Sequence, residues 1–267
     1  MLFRPVTYED LDEIRDLQPE DWSDIIPDFR FYIESPCCYP AKIIMNGRIT
    51  GVGASIVFKN TAWLAHIIVD IRYRRQGIGS YIVQELLKIC ENEPIETFSL
   101  IATESGKPVY EKAGFRVVTK YAFLQRENLW KPKVVSSNVV PFREDYRPGI
   151  YKLDMEISGE NRTGILRHFL KNSLVYELNK EVLGFYIPDL RDGVIYANTV
   201  EAGLELMKVK YAVTDKASLP STNDPAISFL KENGFAVTGK KGTRMILGKE
   251  INWKPDKIYS RVGGNMG

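Results

Sequence analysis

The chain is short of charge imbalance, of cysteine and of long apolar runs, and each shortage excludes something. Thirty-six basic side chains against 34 acidic ones leave a net charge of only +2. Bulk electrostatics therefore give no reason to expect a nucleic acid or an anionic membrane as partner. Cysteine occurs three times, at Cys37, Cys38 and Cys90. An odd count with two adjacent members, which bridge only under strain, excludes a disulfide framework and fits a reducing compartment. No uninterrupted apolar stretch is long enough to cross a bilayer. The opening MLFRPVTYEDLDEIRDL turns acidic and amphipathic at once, without the apolar core of a secretory leader. The expectation is a cytoplasmic protein.

What is present reads as a globular chain of 267 residues, 44% hydrophobic and 26% charged, enough for one large domain or two ordinary ones. Residues 2–6 read as a strand. Thr7, with Asp10 three residues on, opens a helix running to Leu17. A second short helix, interrupted near Pro27, lies in DWSDIIPDFRFYIES. AKIIMNGRITGVGASIVF reads as a hairpin about Asn46-Gly47, and TAWLAHIIVD as a strand buried on both faces. A helix then runs to Cys90 with Ile78, Ile82, Val83, Leu86, Leu87 and Cys90 on one stripe. ETFSLIATE is the next strand. Ser105 is placed to cap the short helix in GKPVYEKAG, Gly114 to end it, and FRVVTKYAFLQRE returns as a strand. Residues 131–148, rich in proline, serine and charge, read as a linker, with a second domain from Gly149.

GKPVYEKAGFRVVTK (106–120) and AISFLKENGFAVTGK (226–240) align without a gap, Gly114-Phe115 on Gly234-Phe235. Upstream, residues 194–213 repeat the strand, turn and helix pattern of 67–100. One supersecondary plan is used twice. The second copy is seven residues shorter, and the missing stretch falls where the first carries RYRRQGIG. It also has Leu230 in place of Tyr110.

RYRRQGIGSYIVQELL (72–87) sets Gly77 and Gly79 behind a run of arginines and ahead of a helix. It is not a Walker loop, which needs G-x-x-x-x-G-K-[ST]. Nor is it a dinucleotide fingerprint, since Ile82 stands where the third glycine belongs. What remains is either a tight turn with close packing or a cradle of backbone N–H groups for an anion at a helix N-terminus, with arginines beside it.

IIVDIRYRRQGIGS resembles the acyl-CoA signature [QR]-x-x-G-x-[GA] of the GNAT superfamily of N-acetyltransferases, and YEKAGF resembles the family's later helix. The resemblance covers residues 1–130 in order and spacing. Residues 149–267, which include TRMILG (243–248) and SRVGGNMG (260–267), resemble the degenerate GNAT-like C-terminal domain of two-domain members. It implies an α/β (α+β) fold of tandem GNAT-like domains, each a mixed, mostly antiparallel sheet flanked by helices. It also implies acetyl-CoA as acyl donor, no metal, and a small-molecule or peptide amine as acceptor.

Carried over by position, the resemblance puts the diphosphate on Arg74, Arg75, Gln76, Gly77, Ile78, Gly79 and Ser80. The pantetheine arm falls along the main chain of Ile67, Ile68 and Val69, with the N–H near Val69 facing the thioester carbonyl. Thr103 stands where the family often has an asparagine that contacts the arm. Tyr110 occupies the position of the general acid; a core tyrosine is the alternative reading. For the base, His66 and Glu104 are rivals, and a histidine in an apolar strand is more often a hydrogen-bonded packing residue. Trp22, Phe29, Phe31 and Tyr32, with Asp21 or Asp24, could form an aromatic, acidic acceptor wall, or simply pack an amphipathic helix on the sheet. Cys90 falls on the apolar stripe, and no activating partner is visible for Cys37 or Cys38. Two other functions stay open: a CoA-sensing or interaction protein without turnover, and an aminoacyl or peptidyl transferase on the same scaffold. The amine and the oligomeric state are not specified.

Overall fold

A computed structural model describes residues 1–20, 22–128 and 134–267 of the chain. It contains two compact units. The N-terminal unit comprises Met1–Val117 together with two segments from the far end of the chain, Met245–Lys249 and Gly264–Met266. The rest forms the C-terminal unit.

The first stretch runs β1 (Leu2–Pro5), α1 (Leu11–Arg15), α2 (Ile26–Glu34), β2 (Cys38–Met45), β3 (Arg48–Phe58), β4 (Thr61–Val69), α3 (Ile78–Ile89), β5 (Thr97–Ala102), α4 (Lys107–Lys112) and β6 (Arg116–Gln125). Strands β1 to β4 pair antiparallel in sequence order. The β2–β3 turn follows from its residues, because Asn46 and Gly47 both take positive φ, 51° and 75°, which a two-residue hairpin turn of matching twist requires. Helix α3 packs Ile78, Ile82, Val83 and Leu86 on the sheet, in one core with Leu64, Leu100 and Tyr110.

Pro27 does not interrupt a helix. It lies in the first turn of α2, where its missing N–H is one that the helix leaves unpaired in any case. Thr7 donates its backbone N–H to Asp10 Oδ2 (2.7 Å), but a short 3-10 turn precedes α1, which ends at Arg15. Ser105 does not cap α4. Thr103 does so from two positions further back: its Oγ1 accepts from Gly106 N (3.1 Å) and its carbonyl from Lys107 N (3.0 Å).

Beyond residue 134 the chain forms β7 (Val139–Pro141), α5 (Arg147–Ser158), α6 (Thr163–Leu166), β8 (Leu174–Leu178), β9 (Glu181–Ile187), β10 (Val194–Ala197), α7 (Val200–Val213), β11 (Lys216–Pro220), α8 (Asp224–Glu232), β12 (Ala236–Val237), β13 (Gly242–Gly248) and β14 (Ile258–Ser260). The C-terminal unit holds a five-stranded sheet in the order β14-β10-β9-β8-β7, so the stretch read as linker already supplies a strand and the start of a helix. From Val118 onward β6 also belongs to this unit, pairing with β11 and β12. Conversely, the Met245–Lys249 part of β13 lies beside β5 in the N-terminal unit. There Lys249 N donates to Glu96 O (3.0 Å) and Thr97 Oγ1 to Lys249 O (2.7 Å). A Cβ on Gly248 would stand 2.2 Å from Glu96 O, so only glycine allows this approach.

The repeat seen in the sequence is a repeat of geometry. Gly114 and Gly234 end α4 and α8 with φ of 92° and 83°. In each case the following phenylalanine returns its N–H to the same helical carbonyl, Phe115 to Tyr110 and Phe235 to Leu230, both at 3.0 Å.

Candidate active site

Strand β4 breaks its ladder in two places. Against β3, the pairs Ala54–Ala65 and Val52–Ile68 leave Gly53 facing both His66 and Ile67, a β-bulge. His66 takes a φ of 48° there. Gly53 is required opposite it, since a Cβ would meet Ile82 at 2.9 Å and Leu86 at 3.0 Å. Against β5, parallel pairing covers Thr61–Thr97, Ala62–Phe98 and Trp63–Ser99, and the Leu64–Val69 stretch extends past it. The strand end that carries Ile67, Ile68 and Val69 thus diverges from β5 and leads straight into the glycine loop.

Asp70 caps that loop by accepting from Arg72 N (2.9 Å) and pairs with the Arg72 guanidinium (2.6 Å), which holds its carboxyl below the ordinary carboxylate range. Arg72 is therefore committed to Asp70. Arg74 donates from Nε to Val69 O (3.2 Å), and Arg74, Arg75 and Gln76 are exposed. Arg75 and Gly77 both have positive φ, 62° and 84°. Gly77 is the residue before α3, and with no side chain it supplies no cap, so the N–H groups of Ile78, Gly79 and Ser80 begin the helix without one. Gly79 lies where three elements meet. A Cβ there would be 3.7 Å from Val69 at the end of β4 and 4.0 Å from Val109 on α4.

The second copy shows the opposite arrangement. Only Asn198 and Thr199 separate β10 from α7, and Thr199 Oγ1 accepts from Ala202 N (3.2 Å), closing that helix N-terminus with its own side chain. The Tyr259 ring packs over Gly203 in the same turn, where a Cβ would stand 2.3 Å from it. The first copy leaves its N-terminus open and the second fills it.

Tyr110 follows Val109 on α4 and is buried against Phe115, with ring centroids 6.0 Å apart. Burial pushes its phenol above the ordinary tyrosine range, so it stays protonated. Its hydroxyl has no hydrogen-bond partner among the described residues. Thr103 and Glu104 lie exposed just after β5, and the Thr103 hydroxyl is already engaged in the turn before α4.

His66 is held in a buried cluster rather than at the loop. Its Nδ1 lies 2.8 Å from Tyr32 Oη and its Nε2 3.5 Å from Asp28 Oδ2. Trp22, Phe29 and Tyr32 surround the ring at centroid distances of 5.9, 5.8 and 5.7 Å. Three of the aromatic residues expected at an acceptor wall therefore gather on His66, and Phe31 packs against Tyr32 (6.1 Å). Asp24 accepts from Ile26 N (3.0 Å) and opens α2, and Asp21 lies outside the described residues. Two members of the cluster gave no signal in the sequence reading. Asp28 looks like one more charge on an amphipathic helix, and Asn265, which donates to Tyr32 Oη (2.8 Å), comes from the far end of the chain.

Residues 11–126 match the family described as "Acetyltransferase (GNAT) domain". Over 136 residues, 49% of its length, the chain is 27% identical to an uncharacterized N-acetyltransferase of Bacillus subtilis (strain 168), YitH. That match spans 42% of the relative, so the chain covers less than half of it. Among solved structures, a Pyrococcus horikoshii protein assigned as an acetyltransferase aligns over 100% of this chain and 95% of its own, with TM-score 0.83 and 18% identity. A tandem GNAT protein from the clavulanic acid biosynthesis pathway aligns over 92% and 98%, with TM-score 0.63 and 13% identity. At such identities these two likenesses speak for the fold. Over residues 11–126 the chain thus matches the GNAT acetyltransferase domain family. Its architecture is that of a tandem GNAT protein, with mixed, mostly antiparallel sheets flanked by helices.

Proposed function

We propose that the N-terminal unit carries an acetyl group from acetyl-CoA to a primary amine, and that the C-terminal unit keeps the GNAT scaffold without the donor site. One observation carries this reading: α3 begins at a bare glycine, whereas its counterpart α7 is closed by Thr199. An open helix N-terminus offers unpaired N–H groups and the positive end of the helix dipole, which suit a diphosphate.

In this reading the N–H groups of Gly77, Ile78, Gly79 and Ser80 hold the diphosphate, and Arg74, Arg75 and Gln76 stand beside them. The main chain of Ile67, Ile68 and Val69, diverging from β5, receives the pantetheine arm as an added strand would. Acetyl-CoA supplies an activated thioester. The N–H near Val69 stabilises the negative charge that develops on its carbonyl oxygen, a contribution of about 3 kcal/mol for a well-aimed donor. Tyr110, kept neutral by burial, gives its proton to the departing sulfur. The amine loses a proton towards His66 or Glu104, directly or through water. Thr103, with its hydroxyl in the α4 turn, contributes to the arm's binding through its exposed surface. The three cysteines are free thiols, in keeping with a cytoplasmic setting.

The test is thiol release from acetyl-CoA across a panel of amines, with CoA binding measured in parallel. Turnover on at least one amine supports the reading. CoA binding with no amine consumed would make the protein a CoA sensor, and absence of binding would remove the donor site altogether.

A further inference from the structure

The cluster around His66 has an order of its own. A positive φ is uncommon outside glycine, although histidine is among the residues that tolerate it. At His66 it accompanies the bulge that seats the imidazole beside α2. Asp28, Tyr32 and Asn265 are 5%, 0% and 2% exposed. Asn265 Nδ2, Tyr32 Oη and His66 Nδ1 follow one another at 2.8 Å, and Asp28 closes the far side of the ring. Asn265 Oδ1 is buried and has no hydrogen-bond partner among the described residues.

The direction of this chain follows from counting protons. A carboxylate facing Nε2 calls for an N–H there. Neutral His66 then has an accepting lone pair at Nδ1, and the single proton of Tyr32 goes to it. The Tyr32 oxygen in turn accepts from the amide of Asn265. Each bond from His66 Nδ1 through Tyr32 Oη to Asn265 Nδ2 then has one direction, and the Nδ1 lone pair of the neutral imidazole is the acceptor at its end. When His66 binds a proton at Nδ1, the Tyr32 hydroxyl hydrogen turns away from the imidazole towards another acceptor. Asn265 Oδ1 is such an acceptor: a half-turn of the amide exchanges it with Nδ2.

We propose that Asn265 is a positioning residue that governs protonation of His66 through Tyr32. In one amide orientation it fixes the Nε2–H tautomer, and in the other it accepts the Tyr32 proton and admits the imidazolium. This deepens the acetyl-transfer reading, in which His66 is a route for the acceptor's proton, and it takes its purpose from that reading. The cluster also gives the segment Gly264–Met266 a task in the N-terminal unit, where it belongs by its contacts.

The chain has two histidines, so nitrogen–proton correlation spectra of the full-length protein resolve them, with His168→Gln making the assignment. Wild-type His66 is expected as the neutral Nε2–H tautomer. Asn265→Asp supplies a permanent acceptor for Tyr32 and is expected to raise the His66 titration midpoint by at least one pH unit, tenfold in proton affinity. Asn265→Leu supplies none and is expected to lower it while preserving the tautomer. Tyr32→Phe should cancel most of the Asn265→Asp effect, because the relay is cut while the added charge remains. Opposite shifts, cancelled by Tyr32→Phe, support the proposal. Shifts of the same sign, no shifts, or an Asn265→Asp effect untouched by Tyr32→Phe overturn it, as does failure of both Asn265 variants to fold with Tyr32→Phe leaving the wild-type tautomer intact. These readouts need no turnover, so the proposal and the transferase reading fail separately.

Discussion

Tyr32 Oη lies 2.8 Å from Nδ1 of His66, tying α2 to the bulge of β4. The hydroxyl sits on a fully buried ring and also accepts from Asn265. Tyr32→Phe keeps the ring and removes both bonds, leaving buried polar atoms without their partner. The expected loss is roughly 1–3 kcal/mol of stability, measured by denaturant unfolding. Wild-type stability in the variant would mean that the hydroxyl holds nothing together.

Tyr110→Phe should lower turnover by about 100-fold or more, the range for loss of a general acid, while acetyl-CoA affinity stays unchanged. Burial raises the Tyr110 phenol above the ordinary value of about 10. The acid form is the working form, so the shift extends its range upward, and Tyr110 causes no loss of rate across neutral and mildly alkaline pH. A rate–pH profile and calorimetric binding check both points. Unchanged turnover in the variant removes the acid role.

The two glycines of the loop should respond differently to alanine. At Gly79 a Cβ meets only ordinary contacts, at 3.7 and 4.0 Å, so Gly79→Ala folds normally. Gly77 has open space around it but a φ of 84°, so Gly77→Ala strains the backbone by roughly 1 kcal/mol or more. Gly79→Glu brings a carboxylate to the helix N-terminus and should weaken CoA binding at least tenfold, with melting temperature nearly that of Gly79→Ala. Equal CoA affinity in Gly79→Glu and Gly79→Ala would refute the anion seat.

In the C-terminal unit, Lys210 on α7 donates to the carbonyls of Asp192 and Gly193 and to Ser260 Oγ. Burial lowers its pKa to about 7. The unfolded chain, with an ordinary lysine near 10.4, therefore holds more protons between about pH 7 and pH 10, and stability from this group rises with pH across that window. Below it both states are charged and the slope vanishes. Lys210→Met should flatten the rise between pH 7 and pH 9 in denaturant unfolding. The same slope in both proteins would contradict the depressed value.

Local features were legible in the sequence because local physics produces them. Asn46-Gly47 signals a turn since few other pairs accept two positive φ values, and the α3 stripe announces itself by its helical period. Gly114 and Gly234 reveal the repeat because each needs the same left-handed backbone. Pro27 and Ser105 misled for a related reason: a proline reads alike as a breaker or a first-turn residue, and a hydroxyl two residues earlier caps equally well. What stayed hidden is long-range. Nothing in the period of TRMILG tells that its part from Met245 onward lies beside β5, and nothing around Asn265 points to Tyr32, 233 positions away. Asp28 was lost among helix charges because its partner lies on a bulge that no alternation pattern announces.

Titration calorimetry of the purified chain with acetyl-CoA tests the central claim most directly. One molecule bound per chain, with the heat abolished or sharply reduced in Gly79→Glu, is the predicted result. A wild-type protein that gives no heat with acetyl-CoA or CoA, while folded by its melting curve, would contradict it.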